Sequence, residues 1–171
     1  PGIVGMVADL CRVKDPYVVA IEVALGGQAQ NVVTETQHAA KDAIDFLKRE
    51  RRGRATFLPL DDIRGGERVP HQAMREPGVI DIASSLIEFD PTHRNVFEFL
   101  LGNVLIVETL DHAIAVRRKH RPNCRMVTLE GDVFNPGGAM TGGRQQGGDG
   151  GGIVSRKNEI RSLDEQVKDL L

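Results

Sequence analysis

The chain has 171 residues, a formal net charge of −2 and a hydrophobic fraction of 40%, which suits one soluble domain or two small lobes packed together. No apolar run approaches the ~20 residues that a helical membrane span needs. Cys11 and Cys124 are the only thiols, so a disulfide framework is excluded and a reducing compartment fits, while the lack of Trp and the 4% aromatic content argue against a base-stacking nucleic-acid surface.

Taken in chain order, the predicted elements occur twice. The first half begins P-G-I-V-G-M-V-A-D-L at Pro1 and reaches Asp15-Pro16; the second begins P-G-V-I-D-I-A-S-S-L at Pro77 and reaches Asp90-Pro91. Each Asp-Pro can open a helix, with the carboxylate as cap and Pro in the first turn, where a missing N–H costs little. Tyr17, Ala20, Ile21, Ala24 and Leu25 give the first helix an apolar stripe; Val96, Phe99 and Leu100 do so in the second half. Both helices end in Leu-Gly, at Leu25-Gly26 and Leu101-Gly102, and Gly26 can take the left-handed position past the helix end. Short β-branched strands follow, at Val32-Val33 and Ile106-Val107. A second helix comes next in each half. Thr36 caps the first, which carries Ala40, Ala43, Ile44 and Leu47 on one face and stops at Gly53; Ala113, Ile114 and Val116 begin the other. Apolar strands close the halves, Ala55 to Leu60 and Arg125 to Leu129. Five landmarks in the same order predict an internal repeat: lobes at 1–60 and 77–152, joined by a polar, turn-rich connection at 61–76.

The end of the second lobe departs from the pattern. Asn135-Pro136 leads into G-G-A-M-T-G-G, in which Gly137, Gly138, Gly142 and Gly143 bracket Ala139, Met140 and Thr141. Glycine loses the most backbone freedom on folding, so paired glycines beside an apolar run predict a backbone that something approaches too closely for a Cβ. A phosphate is one candidate, as in a nucleotide- or ligand-binding α/β domain, although no Lys-Ser or Lys-Thr follows the glycines. Another polypeptide backbone is the other. After a glycine-rich break, Ile153, Ile160, Leu163, Val167 and Leu170 fall at a/d spacing among charges, predicting that 153–171 begins a coiled coil.

Catalytic chemistry is missing from the pattern. The five histidines show no metal-binding spacing, no G-x-S-x-G elbow occurs, and His38 and His112 occupy matching helix positions that suit a structural role. Two basic clusters remain, at matching helix ends: Lys48, Arg49, Arg51, Arg52 and Arg54, then Arg117, Arg118, Lys119 and Arg121. The helix dipole favours cations there, and the same density of charge can hold phosphates. A stand-alone DNA-binding domain is disfavoured by the overall charge.

The segments A-I-E-V-A-L-G-G (Ala20 to Gly27), G-R-A-T-F-L-P-L (Gly53 to Leu60), V-T-L-E-G-D (Val127 to Asp132) and G-G-A-M-T-G-G together closely resemble the hinge domain of bacterial structural maintenance of chromosomes (SMC) proteins. The resemblance covers nearly the whole chain. It implies a mixed α/β hinge fold of two subdomains and a two-fold homodimer in which subdomain I of one chain meets subdomain II of the other. The glycine motif, residues Gly137 to Gly143, then lies at the dimer contact. It further implies two antiparallel coiled-coil arms, with 153–171 as the root of the outgoing one, and ATPase heads that bind ATP and Mg far from this non-catalytic segment, which itself takes no cofactor. A role in chromosome condensation and segregation, in the cytoplasm at the nucleoid, follows. Hinges of this family bind DNA weakly through basic residues near the arm roots. Some relatives carry lysines after the last glycine pair, where this sequence has Arg144 alone, which shifts the expected DNA contact to the two clusters.

Overall fold

The computed structural model describes residues 1–143 and 152–170. Its first lobe (lobe I) contains β1 (Ile3–Met6), β2 (Cys11–Val13), α1 (Val18–Leu25), β3 (Val32–Thr34), α2 (Gln37–Glu50) and β4 (Phe57–Pro59). A short helix, α3 (His71–Met74), precedes lobe II, which repeats the order as β5 (Val79–Ile82), β6 (Ile87–Phe89), α4 (Arg94–Leu101), β7 (Val104–Val107), α5 (Leu110–His120) and β8 (Arg125–Thr128). Beyond the repeat lie β9 (Val133–Phe134), β10 (Met140–Thr141) and α6 (Ile153–Leu170).

The lobes share topology as well as order. In lobe I, β1 runs antiparallel to β3 and β3 parallel to β4. In lobe II, β5 runs antiparallel to β7 and β7 parallel to β8. Each first strand even has an irregularity at the same place, between Ile3 and Gly5 and between Val79 and Asp81. The equivalent strands β2 and β6 then pair with each other, antiparallel, with Arg12 opposite Glu88. Two equivalent strands can pair that way only about a local two-fold, so the internal repeat is a pseudo-symmetric pair. One buried cluster draws on both lobes, including Val7, Ile21 and Val33 from one and Val96, Phe97 and Ile106 from the other. Neither small lobe has a core of that size alone.

Local chemistry explains the element ends. Thr36 Oγ1 accepts the Ala39 N–H at 3.0 Å and Thr109 Oγ1 accepts the His112 N–H at 3.3 Å, so α2 and α5 are capped alike. Both helices end on an arginine in the left-handed region, Arg51 (φ 51°) and Arg121 (φ 44°); the expected stop at Gly53 therefore falls two residues late. Asp90 accepts the Thr92 N–H at 2.9 Å, whereas Asp15 makes no such cap in the other lobe. The stripe of α4 also differs from the expected one: Val96, Phe97, Leu100 and Leu101 are buried and Phe99 is 50% exposed. Phe97 takes the inward place and stacks on Phe89, centroids 4.8 Å apart, because α4 packs on two surfaces and needs a broader apolar face than one spacing describes.

The connecting stretch at 61–76 is more than a spacer. Gly65 lies so close to α4 that a Cβ would collide with the Phe99 backbone nitrogen. Val69 and Ala73 are buried in a second cluster with Leu105, Ala113, Val116 and Met126 of lobe II. At the other end, α6 docks on lobe I: Ser155 Oγ donates to Glu22 at 2.5 Å, Lys157 pairs with Asp9 at 2.6 Å, and Arg161 donates to the Cys11 carbonyl at 2.9 Å.

Candidate dimer interface

The glycine motif forms an edge hairpin. β9 and β10 pair antiparallel, Phe134 opposite Met140 and Val133 opposite Thr141, at one end of the lobe II sheet, whose order is β10-β9-β8-β7-β5. In the loop, the Gly138 N–H donates to the Asn135 carbonyl at 2.9 Å and the Asn135 N–H to the Ala139 carbonyl at 2.8 Å. With that last pair hydrogen-bonded, the alternation of an antiparallel ladder turns the Met140 N–H and C=O away from β9, to the open edge. Every residue from Gly137 to Gly143 is exposed, and Met140 is 49% exposed. Arg117 fastens the loop to α5: its guanidinium donates to the Pro136 carbonyl at 2.5 Å and lies over the Phe134 ring at 5.4 Å.

The four glycines are there for different reasons. Gly138 and Gly143 have φ of +104° and +107°, a region costly for any residue with a Cβ. A Cβ on Gly142 would stand 2.5 Å from Asp132 Oδ1. Gly137 alone has an ordinary φ and nothing within 4 Å of its Cβ position. The chain's own fold thus accounts for three of the four.

The helix that follows the hairpin offers a second uncovered surface. In α6, Val154 is buried and Ile153 packs on the core, while Ile160, Leu163, Val167 and Leu170 stay exposed. Most of the a/d seam read from sequence is therefore uncovered among the described residues. Neither cysteine offers chemistry: burial pushes both thiols up to about 11, far from the reactive thiolate range. No cluster of three or more His, Cys, Asp or Glu that could hold a metal occurs among the described residues, and no described helix is long and apolar enough to cross a membrane.

The family model described as "SMC proteins Flexible Hinge Domain" matches residues 1–117. The chain belongs to the SMC hinge family. The chromosome partition protein Smc of Desulfitobacterium hafniense is 46% identical over 163 residues, which are 95% of this chain and 14% of that protein. The chain therefore spans about one seventh of such a relative's length. Among solved structures, an asymmetric dimer of the Geobacillus stearothermophilus SMC hinge domain matches with a TM-score of 0.86 at 40% identity, covering 99% of this chain and 68% of that one. The Pyrococcus furiosus SMC hinge domain matches with a TM-score of 0.71 at 38% identity, covering 86% and 78%. The fold is that of the SMC hinge, whose role is dimerisation, and the phosphate-cradle alternative is not favoured.

Within this hinge domain the two basic clusters are unequal. Lys48, Arg49, Arg51, Arg52 and Arg54 are all exposed; Arg49 lies near Glu50 (3.8 Å) and over the Phe46 ring (5.8 Å). In lobe II, Arg117 is taken up by the hairpin, and Lys119 by Glu76 at 2.8 Å. His120 reaches the same Glu76 oxygen at 2.8 Å, and hydrogen bonds from Lys119 and then His120 hold the Glu76 carboxyl below its ordinary range. That leaves Arg118 and Arg121 exposed, with no side-chain partner among the described residues. Arg144 lies outside the described residues. Sequence reading missed Arg117 as an anchor; its lobe I counterpart, counted from the caps, is the apolar Ile44, and that break in the repeat was the available signal.

Proposed function

We propose that this hinge domain joins two copies of its chain in a two-fold ring, lobe I of each meeting lobe II of the other through the Gly137–Gly143 hairpin. The observation that carries the reading is a mismatch of edges. Lobe II extends beyond β8 with β9 and β10, ending in an open β10. Among the described residues no strand pairs with β4 beyond β3, and its edge is open only before Pro59, whose carbonyl accepts the Asp62 and Ile63 N–H groups. An open strand edge is a template for pairing. β10 of one copy would then take, on lobe I of the other, the place that β9 takes on β8 within lobe II. Pro59 lacks an N–H, so pairing would run along Phe57 and the exposed residues before it.

The functional units would be 1–60 and 77–152 as hinge subdomains, 61–76 as their connection and 153–171 as an arm root. In the full-length protein a second helix would lie along Ile160, Leu163, Val167 and Leu170, completing a coiled-coil arm. ATP and Mg would bind at distant head domains, and the dimer would serve chromosome condensation and segregation at the nucleoid. Weak, non-specific DNA binding would fall mainly to the lobe I cluster, where every cation is exposed.

Sedimentation equilibrium of the 171-residue chain tests the core of this reading. A dimer at micromolar concentration, burying ~2,000 Å² or more as obligate dimers do, is the expected result. A folded monomer would overturn it.

A further inference from the structure

Lobe II has a second buried cluster that lobe I lacks. There, α3 packs against β5 and α5, and Val69 and Ala73 close over Leu105, Ala113, Val116 and Met126. Strand register gives the lobe I counterparts in the sheet: Val32 stands for Leu105 and Phe57 for Met126. Counting from the matching caps Thr36 and Thr109, Ala40 stands for Ala113 and Ala43 for Val116. Val32, Ala43 and Phe57 are only half-buried. Beside them Ile3 is 51% exposed and Phe46 45% exposed. By the same count Phe46 and Leu47 fall where Lys119 and His120 grip Glu76, just past α3. Lobe I thus presents apolar side chains at the places where lobe II receives the α3 segment.

The backbone also enters both lobes on one path. Gly2 and Gly78 have φ of +84° and +82°. Their carbonyls accept the N–H groups of Glu35 and Glu108, each at 2.8 Å. A Cβ on Gly2 would meet Ala39, and one on Gly78 would meet His112, which the matching caps make the counterpart of Ala39 and not, as the sequence suggested, of His38. A chain arriving at Gly2 therefore comes from the direction in which α3 lies relative to Gly78.

We propose that in the full-length protein the polypeptide just before Pro1 folds as a short helix over the patch formed by Ile3, Ala43, Phe46 and Leu47, taking on lobe I the place of α3 on lobe II. It would carry small or aliphatic residues at the spacing before Gly2 that Ala73 and Val69 keep before Gly78. It would meet Phe46 and Leu47 with an apolar residue where lobe II uses Glu76. The proposal rests on the reading of this chain as an internal hinge of a longer protein. An exposed patch of this kind costs solubility if left bare, and covering it would complete the lobe I core.

The test uses the full-length protein with its other exposed cysteines replaced. Phe46→Cys and, on the solvent side of the same helix, Asp45→Cys are labelled with a maleimide. Residue 46 is expected to react about tenfold or more slowly, as a site shielded until local opening does. A second cysteine at the upstream position matching Ala73 should then form a disulfide with residue 46 within one chain, identified by peptide mass. Equal labelling rates overturn the proposal. Protection accompanied by a disulfide between two chains also overturns it, and assigns the patch to a second copy. Mass measured on the same samples separates this outcome from the hinge reading: a monomer in which residue 46 is still shielded by its own chain sinks the dimer and keeps the covered patch.

Discussion

Lobe I and lobe II share strand order, strand directions, the threonine cap of the second helix and even the left-handed arginine at its end, yet their outer surfaces differ at two places. After β8, lobe II adds the β9–β10 hairpin, held to α5 by Arg117; after β4, lobe I turns directly into the segment that seats Gly65 on α4. Before β5, lobe II is covered by α3; before β1, the lobe I patch around Ile3 and Phe46 is open. Shared features build the fold. The unshared ones lie at edges and faces, where another segment or another chain can add itself. The comparison teaches that the duplicated unit supplies a scaffold, and that the additions to one copy carry association.

The sharpest way to break this comparison is Met140→Pro. Its N–H points to the open edge rather than to β9, so proline should remove an intermolecular donor and leave the hairpin intact. Each hydrogen bond removed counts twice in a two-fold dimer. At ~1–1.5 kcal/mol per hydrogen bond, the dissociation constant should rise about 100-fold, with circular dichroism unchanged. An unchanged dimer would put the interface on a surface that both lobes share.

Charge reversal tests the basic clusters next. Replacing Arg49, Arg51, Arg52 and Arg54 by Glu should weaken DNA binding and lower its salt slope by about one unit for each phosphate no longer neutralised. Arg118→Glu with Arg121→Glu should do less, because their neighbours Arg117 and Lys119 are already engaged within the fold. Titrations of a short duplex at several salt concentrations would decide. Equal weakening from the two lobes would erase the asymmetry; no weakening from either would leave both clusters as solvated helix ends.

Much of this was legible in the residues because repetition amplifies weak local signals. Asp-Pro and Leu-Gly are each ambiguous alone, but occurring twice in order with the strands between them they marked the repeated strand–helix unit, while its strand pairing came only with the fold. What could not be read was decided by long-range packing. Phe99 and Phe97 both fit an apolar spacing, and only the second surface against α4 selects Phe97. The stretch at 61–76 has the polarity of a linker, yet Val69 and Ala73 are buried in the lobe II core. The glycine motif stands out in the residues alone, as paired glycines around a short apolar run. The reason was partly internal, since positive φ and the Asp132 contact are invisible without a backbone.

Those separate reasons sharpen the glycine test. Gly138→Ala and Gly143→Ala should each destabilise the folded chain by about 1 kcal/mol through backbone strain, lowering the melting temperature whatever the oligomeric state. Gly137→Ala places a methyl group in open space within its own chain. It should leave monomer stability alone and weaken dimerisation, by about tenfold if the partner backbone fits against it as closely as a missing Cβ allows. A Gly137→Ala variant with wild-type dissociation constant would confine the role of the motif to its own turns.

The smallest effect concerns what the lobes have in common. Arg51 and Arg121 sit at φ of 51° and 44° at the ends of α2 and α5. For a residue with a Cβ this costs ~1–2 kcal/mol, part of which glycine gives back as unfolded-chain entropy. Arg51→Gly and Arg121→Gly should therefore each stabilise the protein by about 0.5–1 kcal/mol, and by similar amounts, since both residues hold the same left-handed turn at a helix end. Denaturant titrations at fixed protein concentration would compare them. Matching shifts would mean that the helix ends belong to the duplicated scaffold. A gain in lobe II only would mean that Arg51 makes a contact in the assembled protein that offsets its strain, and its exposed place in the lobe I cluster marks it for that role.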